Sequence, residues 1–207
     1  MAAQFDFGGD VVLVTGASGA LGSAIAEAFS DAGAVVCGAD LVGVDDEESL
    51  LDPTKASAFY QGDFTDEAEV ADVIESVVDD HGGLDALCNV AGTWRGGDPI
   101  AETDLAEFEF LLDVNLKTMF LASKHAIPHL SESGGAIVSV SSRSSLDGGS
   151  GDGPYRASKA GVRLLTETIA AENEGDLRAN AIMPSVIDTP MNREMMPDAD
   201  HGEWVDP

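Results

Sequence analysis

The sequence predicts an α/β fold, a doubly wound parallel sheet with helices on both faces in three layers (α/β/α). Three observations predict it. Short apolar runs recur along the chain, each of strand length. Helical stretches separate most of them, and strands alternating with helices pair in parallel. The first apolar run leads directly into a glycine-rich turn that opens a helix.

The elements follow in order. Residues 11–14 (Val-Val-Leu-Val) are β-branched and apolar and end in Thr15-Gly16, which reads as a buried strand. Residues 21–31 are helical, and Gly33 stops them. Residues 35–39 form a second strand that ends at Asp40, and residues 59–61 a weaker third strand that reaches Asp63. Residues 66–79 are an amphipathic helix with Val70, Val73, Ile74 and Val77 on one stripe. Residues 84–90 are a fourth strand, and 105–130 one long helical stretch. Residues 136–141 are a fifth strand, 148–153 a flexible loop, 155–172 a helix, and 178–183 a sixth strand ended by Pro184. No repeat or interdomain linker interrupts the pattern, so residues 1–207 read as a single Rossmann-like domain.

Composition narrows the function. The hydrophobic content is 44%, enough for a large core. No apolar run approaches the ~18 residues of a membrane helix. Residues 1–6 lack a basic segment followed by an apolar one, so no signal peptide is expected and the expected location is the cytoplasm. Cys37 and Cys88 lie in strand-like runs and read as buried free thiols. His81, His125, His129 and His201 have no metal-site spacing, so no metal is expected. The chain carries 38 acidic and 10 basic residues, a net charge of -28. Nucleic acid would be repelled, because its binding rests on cationic contacts to phosphate. The acid is spread over many segments, which predicts adaptation to high ionic strength, where a short Debye length relieves self-repulsion.

Three motifs carry chemistry. The turn Thr15-Gly16-Ala17-Ser18-Gly19-Ala20-Leu21-Gly22 joins the first strand to the first helix. Small residues let the backbone approach a pyrophosphate, and the helix start supplies free N–H groups. Asp40 ends the second strand, with Leu41 after it. A carboxylate there can accept bonds from both ribose hydroxyls of adenosine and repels a 2′-phosphate, which predicts NAD rather than NADP. Tyr155 and Lys159 stand at i and i+4, on one helix face. An ammonium about 4 Å from a phenol is worth roughly 4 kcal/mol at an effective dielectric near 20. That is enough to bring a tyrosine from about 10 toward about 7, a usable general acid/base. Ser142 could hold a substrate oxygen beside it.

With these motifs in this order, residues 11–189 resemble the short-chain dehydrogenase/reductase family, classical type. The resemblance sets Gly16 and Gly22 at glycines of the phosphate turn, with Ala20 at the middle glycine and Gly19 supplying the flexibility instead. It implies that Asp63, with Phe64 beside it, contacts the adenine. It implies that Asn89, Ala91 and Gly92 run alongside the cofactor and brace the sheet. Pro184, Ile187 and Thr189 would bind the nicotinamide carboxamide, with Ser185 in place of the usual glycine. Ser141 and Ser142 compete for the catalytic serine; the family spacing picks Ser142. Asn115 completes a tetrad with Ser142, Tyr155 and Lys159. In the implied mechanism Tyr155 exchanges the proton of the substrate oxygen and Ser142 hydrogen-bonds that oxygen. Lys159 lowers the tyrosine pKa and binds the nicotinamide ribose, and Asn115 positions a relay water.

The expected activity is therefore NAD-dependent hydride transfer to or from a secondary alcohol or ketone, of sugar, polyol or 3-oxoacyl type. A non-catalytic NAD-binding regulator is the rival. Candidate substrate contacts are Thr93, Trp94 and Arg95, residues 143–146, and residues 191–196. Arg95 and Arg143 stand out among so few cations; either could bind an acidic substrate group, with an ordinary salt bridge as the competing reading. Phe108, Leu111, Leu112, Leu116, Phe120 and Ile127 lie on more than one helix face, which predicts a homodimer or homotetramer. The family's chains normally continue past Thr189 into a helix and a seventh strand. That last strand is lacking here, and an omitted or disordered tail is the expected reason.

Overall fold

The computed structural model describes residues 5–207. Residues 1–4, part of the segment inspected for a leader, lie outside the described residues. Six strands form one sheet in the order β3-β2-β1-β4-β5-β6, every neighbouring pair parallel. They are β1 (Val11–Thr15), β2 (Val35–Asp40), β3 (Ala58–Gln61), β4 (Ala86–Asn89), β5 (Ala136–Val140) and β6 (Arg178–Ile182). The helices are α1 (Ala20–Asp31), α2 (Glu67–His81), α3 (Leu105–Leu112), α4 (Thr118–Ser133), α5 (Gly153–Glu172) and α6 (Pro190–Met195). Among the described residues no helix is long and apolar enough to cross a membrane.

Alternation along the inner strands divides the core. Val11 and Leu13 of β1, with Cys37 and Ala39 of β2, pack with α2, α4 and α5. Val12, Val14 and Val36 pack with Ala26, Ile25 and Phe29 of α1 and with Leu51. The two cysteines fall in different clusters, both buried and free. The α1 layer covers the middle of the sheet. Beyond it β6 is an edge strand, with Arg178, Asn180 and Ile182 exposed.

Local chemistry sets the element ends. Asp66 caps α2 by accepting from the N–H groups of Ala68 and Glu69, and Gly82 ends it at φ +83°. Gly134 ends α4 in the left-handed region. The long helix expected over 105–130 is divided. A π-helical turn, Asp113–Lys117, separates α3 from α4. The extra residue rotates Asn115 into the interior, where it is 1% exposed. Leu111 enters the core and Leu116 and Ile127 pack against it, while Phe108 and Phe120 remain 40% and 47% exposed. The loop expected to be flexible over 148–153 is tied down. Arg156 donates to the Asp152 carboxylate (2.6 Å) and to the carbonyls of Ser144 (3.3 Å) and Asp147 (3.0 Å). The Gly97 N–H reaches the Gly151 carbonyl at 2.6 Å.

The phosphate turn needs two of its glycines for its own packing. Gly16 adopts φ +69°, and a Cβ on it would lie 2.7 Å from the Ala91 nitrogen. A Cβ on Gly22 would lie 2.0 Å from the Gly16 oxygen. Gly19 has an ordinary negative φ, and a Cβ there would meet only ordinary contact at 3.4 Å. It supplies no unusual backbone conformation, contrary to expectation, and Ala20 sits in the first turn of α1 without needing one. Urea denaturation should therefore rank two variants. Gly22→Ala should lose about 3 kcal/mol through overpacking against backbone, and Gly19→Ala less than about 1 kcal/mol. Equal losses would contradict this account of the turn.

Candidate active site

The carboxyl ends of the strands share one edge of the sheet, because Thr15 is in register with Ala39 and Asn89, and Asn89 with Ser139. β2 and β3 lie on one side of β1 and β4 to β6 on the other. The chain thus switches direction between β1 and β4, where a doubly wound sheet opens a crevice. A cleft of about 1060 Å³ lies there. It is lined by Gly16, Ser18, Gly19, Ala20, Leu21, Gly22, Asp40, Leu41, Asp63, Phe64, Ala91, Gly92, Ser142, Tyr155, Lys159, Pro184, Ile187 and Thr189. Elements distant in sequence therefore bring nearly all the expected residues to one wall.

One expected cofactor contact is absent from that wall. Asn89 is 4% exposed and turned into the sheet, where its amide nitrogen donates to Ser123 Oγ (3.1 Å) and Ser139 Oγ (3.3 Å). It braces the sheet. The strand's alternation sends Asn89 inward and leaves Val90, Ala91 and Gly92 to the cleft. Thr15 Oγ1, which the motif reading passed over, accepts from the Val90 and Ala91 N–H groups and fixes that segment.

At one end of the cleft stands the start of α1, which has no side-chain cap. Its first-turn N–H groups have no partner within the helix. Asp40 accepts from the N–H groups of Ser18 (3.0 Å) and Val42 (3.1 Å), which orients the carboxylate toward the turn. Asp63 accepts from the Thr65 N–H and hydroxyl through one oxygen. Glu47 and Glu48 line the same end, and Lys159 is the sole cation among the lining residues. Uncapped N–H donors, a turn of glycines and small residues, and a strand-end carboxylate acceptor form a set that fits a dinucleotide.

At the other end α5 carries Tyr155 and Lys159. Ser142 follows β5; its oxygen accepts from the Ser144 N–H (3.1 Å), and its hydroxyl lies beside the Tyr155 phenol. Ser141, its rival, also borders the cleft, but its hydroxyl is buried and donates to the Lys159 carbonyl (2.8 Å). Lys159 is 5% exposed, and its Nζ donates to the Val140 carbonyl (3.0 Å). Burial pushes the amine down to about 8. The phenol of Tyr155 is raised above its ordinary value, first by burial and then by Asp152, against the neighbouring Ser142 hydroxyl and Arg156, which lower it. The expected depression by Lys159 is therefore not what dominates; burial does. Burial acts on both partners, favouring the neutral form of each.

Asn115 does not line the cleft. Its Oδ1 accepts from the Thr93 N–H (2.7 Å) and its Nδ2 donates to Ser158 Oγ (3.1 Å). Ser158 in turn donates to the Tyr155 carbonyl (2.7 Å). The asparagine thus ties the segment after β4 to the first turns of α5, while Lys159 Nζ bonds instead to the Val140 carbonyl. The pairing with Ser158 was not legible in the sequence, since it depends on the π turn.

A second cavity, about 480 Å³, opens beside Tyr155 and Ser142. Trp94, Arg143, Ser144, Asn192, Met195 and Met196 help to line it, along with Pro184, Ser185 and Val186. Arg95 does not reach it; its guanidinium lies 3.6 Å above the Phe110 ring. Burial pushes the thiols of Cys37 and Cys88 up to about 12, so neither is a thiolate near neutrality. Among the described residues no cluster of three or more potential ligands could hold a metal ion.

Residues 10–200 match the sequence profile of a family described as short chain dehydrogenase. L-fucose dehydrogenase of Oryctolagus cuniculus is 35% identical over 198 residues, covering 94% of this chain and 69% of the relative. Cis-4-hydroxycyclohexanecarboxylate dehydrogenase of Sinomonas cyclohexanicum is 35% identical over 185 residues, covering 87% and 74%. The ligand-free aldohexose dehydrogenase of Thermoplasma acidophilum superposes with a TM-score of 0.82 at 32% identity, covering 94% and 72%.

Lys159 carries a stability cost with a definite sign. Its amine falls from 10.5 to about 8 on folding, so between those values the unfolded chain binds more protons and stability rises with pH. Below about 8 the buried charge opposes folding in full, on the order of 3 kcal/mol. Lys159→Met should raise the melting temperature at pH 7 by several degrees, and the gain should shrink as pH rises from about 8 to about 10.5. Thermal denaturation across that range checks both; a lower melting temperature at pH 7 would contradict the sign.

Proposed function

The chain belongs to the short chain dehydrogenase family, and within it we propose an NAD-dependent oxidoreductase acting on a secondary alcohol or ketone. The observation that carries this reading is the convergence of Tyr155, Ser142 and Lys159 on a cleft that also holds the uncapped start of α1 and Asp40.

Ser18 to Gly22 would hold the pyrophosphate by backbone N–H groups, and Asp40 the adenosine ribose. Phe64 and Asp63 would bound the adenine, and Ile187 and Thr189 the nicotinamide end. Asp40, Glu47, Glu48 and Asp63 line the nucleoside end with no cation among them. A 2′-phosphate there would face only like charge, which supports NAD over NADP. When bound, the cofactor accepts the hydride.

The residues of the chain handle the substrate. Ser142, its oxygen anchored by the Ser144 N–H, donates to the substrate oxygen. Tyr155 receives the hydroxyl proton as the carbinol C–H bond breaks and the carbonyl forms. The hydride leaves with both electrons, so alcohol is oxidised and one proton remains on the protein for release. A phenol raised by burial needs a positive neighbour to serve as base, and Lys159 on the same helix face is that group. Near neutrality the lysine, at about 8, is still mostly charged.

Tyr155→Phe should cut turnover of any oxidised alcohol by about 10³-fold or more, while NAD still binds in calorimetry. Normal turnover in that variant sinks the assignment. Wild-type protein should use NAD at least about tenfold better than NADP, a preference worth roughly 1.4 kcal/mol.

A further inference from the structure

The 480 Å³ cavity beside Tyr155 differs in charge from the rest of the molecule. No carboxylate lines it, although the chain has 38 acidic residues. The adjoining cleft is lined by five: Asp40, Glu47, Glu48, Asp63 and Glu194. The one charged residue in the cavity wall is Arg143.

Arg143 is also unpaired. Six of the ten cationic residues, Lys55, Lys117, Lys124, Arg156, Arg163 and Arg193, form ion pairs with carboxylates. Arg143 forms none among the described residues, so the salt bridge that competed with a binding role is not there. Its backbone is held in place, with its N–H bonded to the Pro184 carbonyl (3.1 Å). It directly follows Ser142, so its side chain starts one residue from the group that faces a substrate oxygen. The other wall is apolar, with Trp94, Met195 and Met196.

We propose that the substrate is a carboxylate-bearing secondary alcohol whose carboxylate is bound by Arg143. Its carbinol would lie at Ser142 and Tyr155, and its apolar carbons against Trp94, Met195 and Met196. A guanidinium presents paired donors that match a carboxylate, and Arg143, exposed at the cavity wall, has no acidic group in that wall to compete with the ligand. Arg143 here sets specificity; the bond changes at the carbinol are unaltered. This inference rests on the dehydrogenase reading of the same site.

The test uses cis-4-hydroxycyclohexanecarboxylate and its methyl ester, which keeps the ring and removes the charge. Wild type with NAD should favour the acid by about tenfold or more in kcat/KM. Arg143→Ala should collapse that ratio about tenfold, mainly through KM, and Arg143→Lys should retain part of it, because a lysine supplies charge without the fork. A wild-type preference for the ester, or an equal loss on both compounds in Arg143→Ala, overturns the proposal.

Calorimetry with cyclohexanecarboxylate, which has no hydroxyl to oxidise, separates the two readings. Binding that is weakened in Arg143→Ala, with no turnover of either alcohol, keeps the anion site and sinks the dehydrogenase. Binding that is absent or indifferent to Arg143 sinks the anion site, whatever the turnover.

Discussion

Close approach at the switch point is the constraint on which the rest of the molecule depends. A Cβ on Gly92 would lie 2.8 Å from Asn115 Oδ1 and 3.0 Å from Lys159 Nζ. A Cβ on Gly16 would press on the Ala91 backbone. Segments following β1 and β4, the π turn and α5 therefore meet through glycine backbone and the polar ends of Asn115 and Lys159. Interiors pack at crystal-like density, so a methyl group here would have to move one of these segments. Asn115 closes the junction by bonding across it to Thr93 and Ser158. The cost of a π turn, which is weaker than α-helix, is offset by satisfying a buried amide.

That junction holds one of the chain's few cations in an almost water-free position. Lys159 has a carbonyl partner, no carboxylate, and a depressed pKa. A buried amine without a counter-ion is a stability liability, and such liabilities concentrate where chemistry needs them. The same economy of cations shapes the surroundings. Acidic residues crowd the nucleoside end of the cleft and are missing from the cavity next to Tyr155. A net charge of -28 is thus unevenly expressed, and the uneven part coincides with the two ligand-sized spaces.

Much of the site was legible because its parts are local patterns. The glycine turn, Asp40 at a strand end, and Tyr155 four residues before Lys159 each announce their geometry through a short stretch of chain. Asn115 was legible as an oddity, a polar residue between Val114 and Leu116, but not as a bridge, because its partners lie 22 and 43 residues away. Asn89 sits next to cleft residues in sequence and faces the other way in space. Arg95 and Arg143 looked alike in the sequence; one covers Phe110 and the other stands free in a cavity wall. Ser141 and Ser142 are neighbours in sequence, but the hydroxyl of the first bonds to the α5 backbone and that of the second lies beside the Tyr155 phenol.

The sequence by itself determined the strand and helix order, the parallel doubly wound sheet and the identity of most residues at its carboxyl edge. Those depend on periodicity, turn chemistry and fixed spacing, which are properties of neighbouring residues. Tertiary structure decided the break in the helix at Asn115, the pinning of the 148–153 loop by Arg156, and the protonation balance of Tyr155 and Lys159. It also decided that Arg95 covers Phe110 while Arg143 stands in a cavity wall. Each of these turns on desolvation or on a partner far along the chain, and both come into being only when the elements pack.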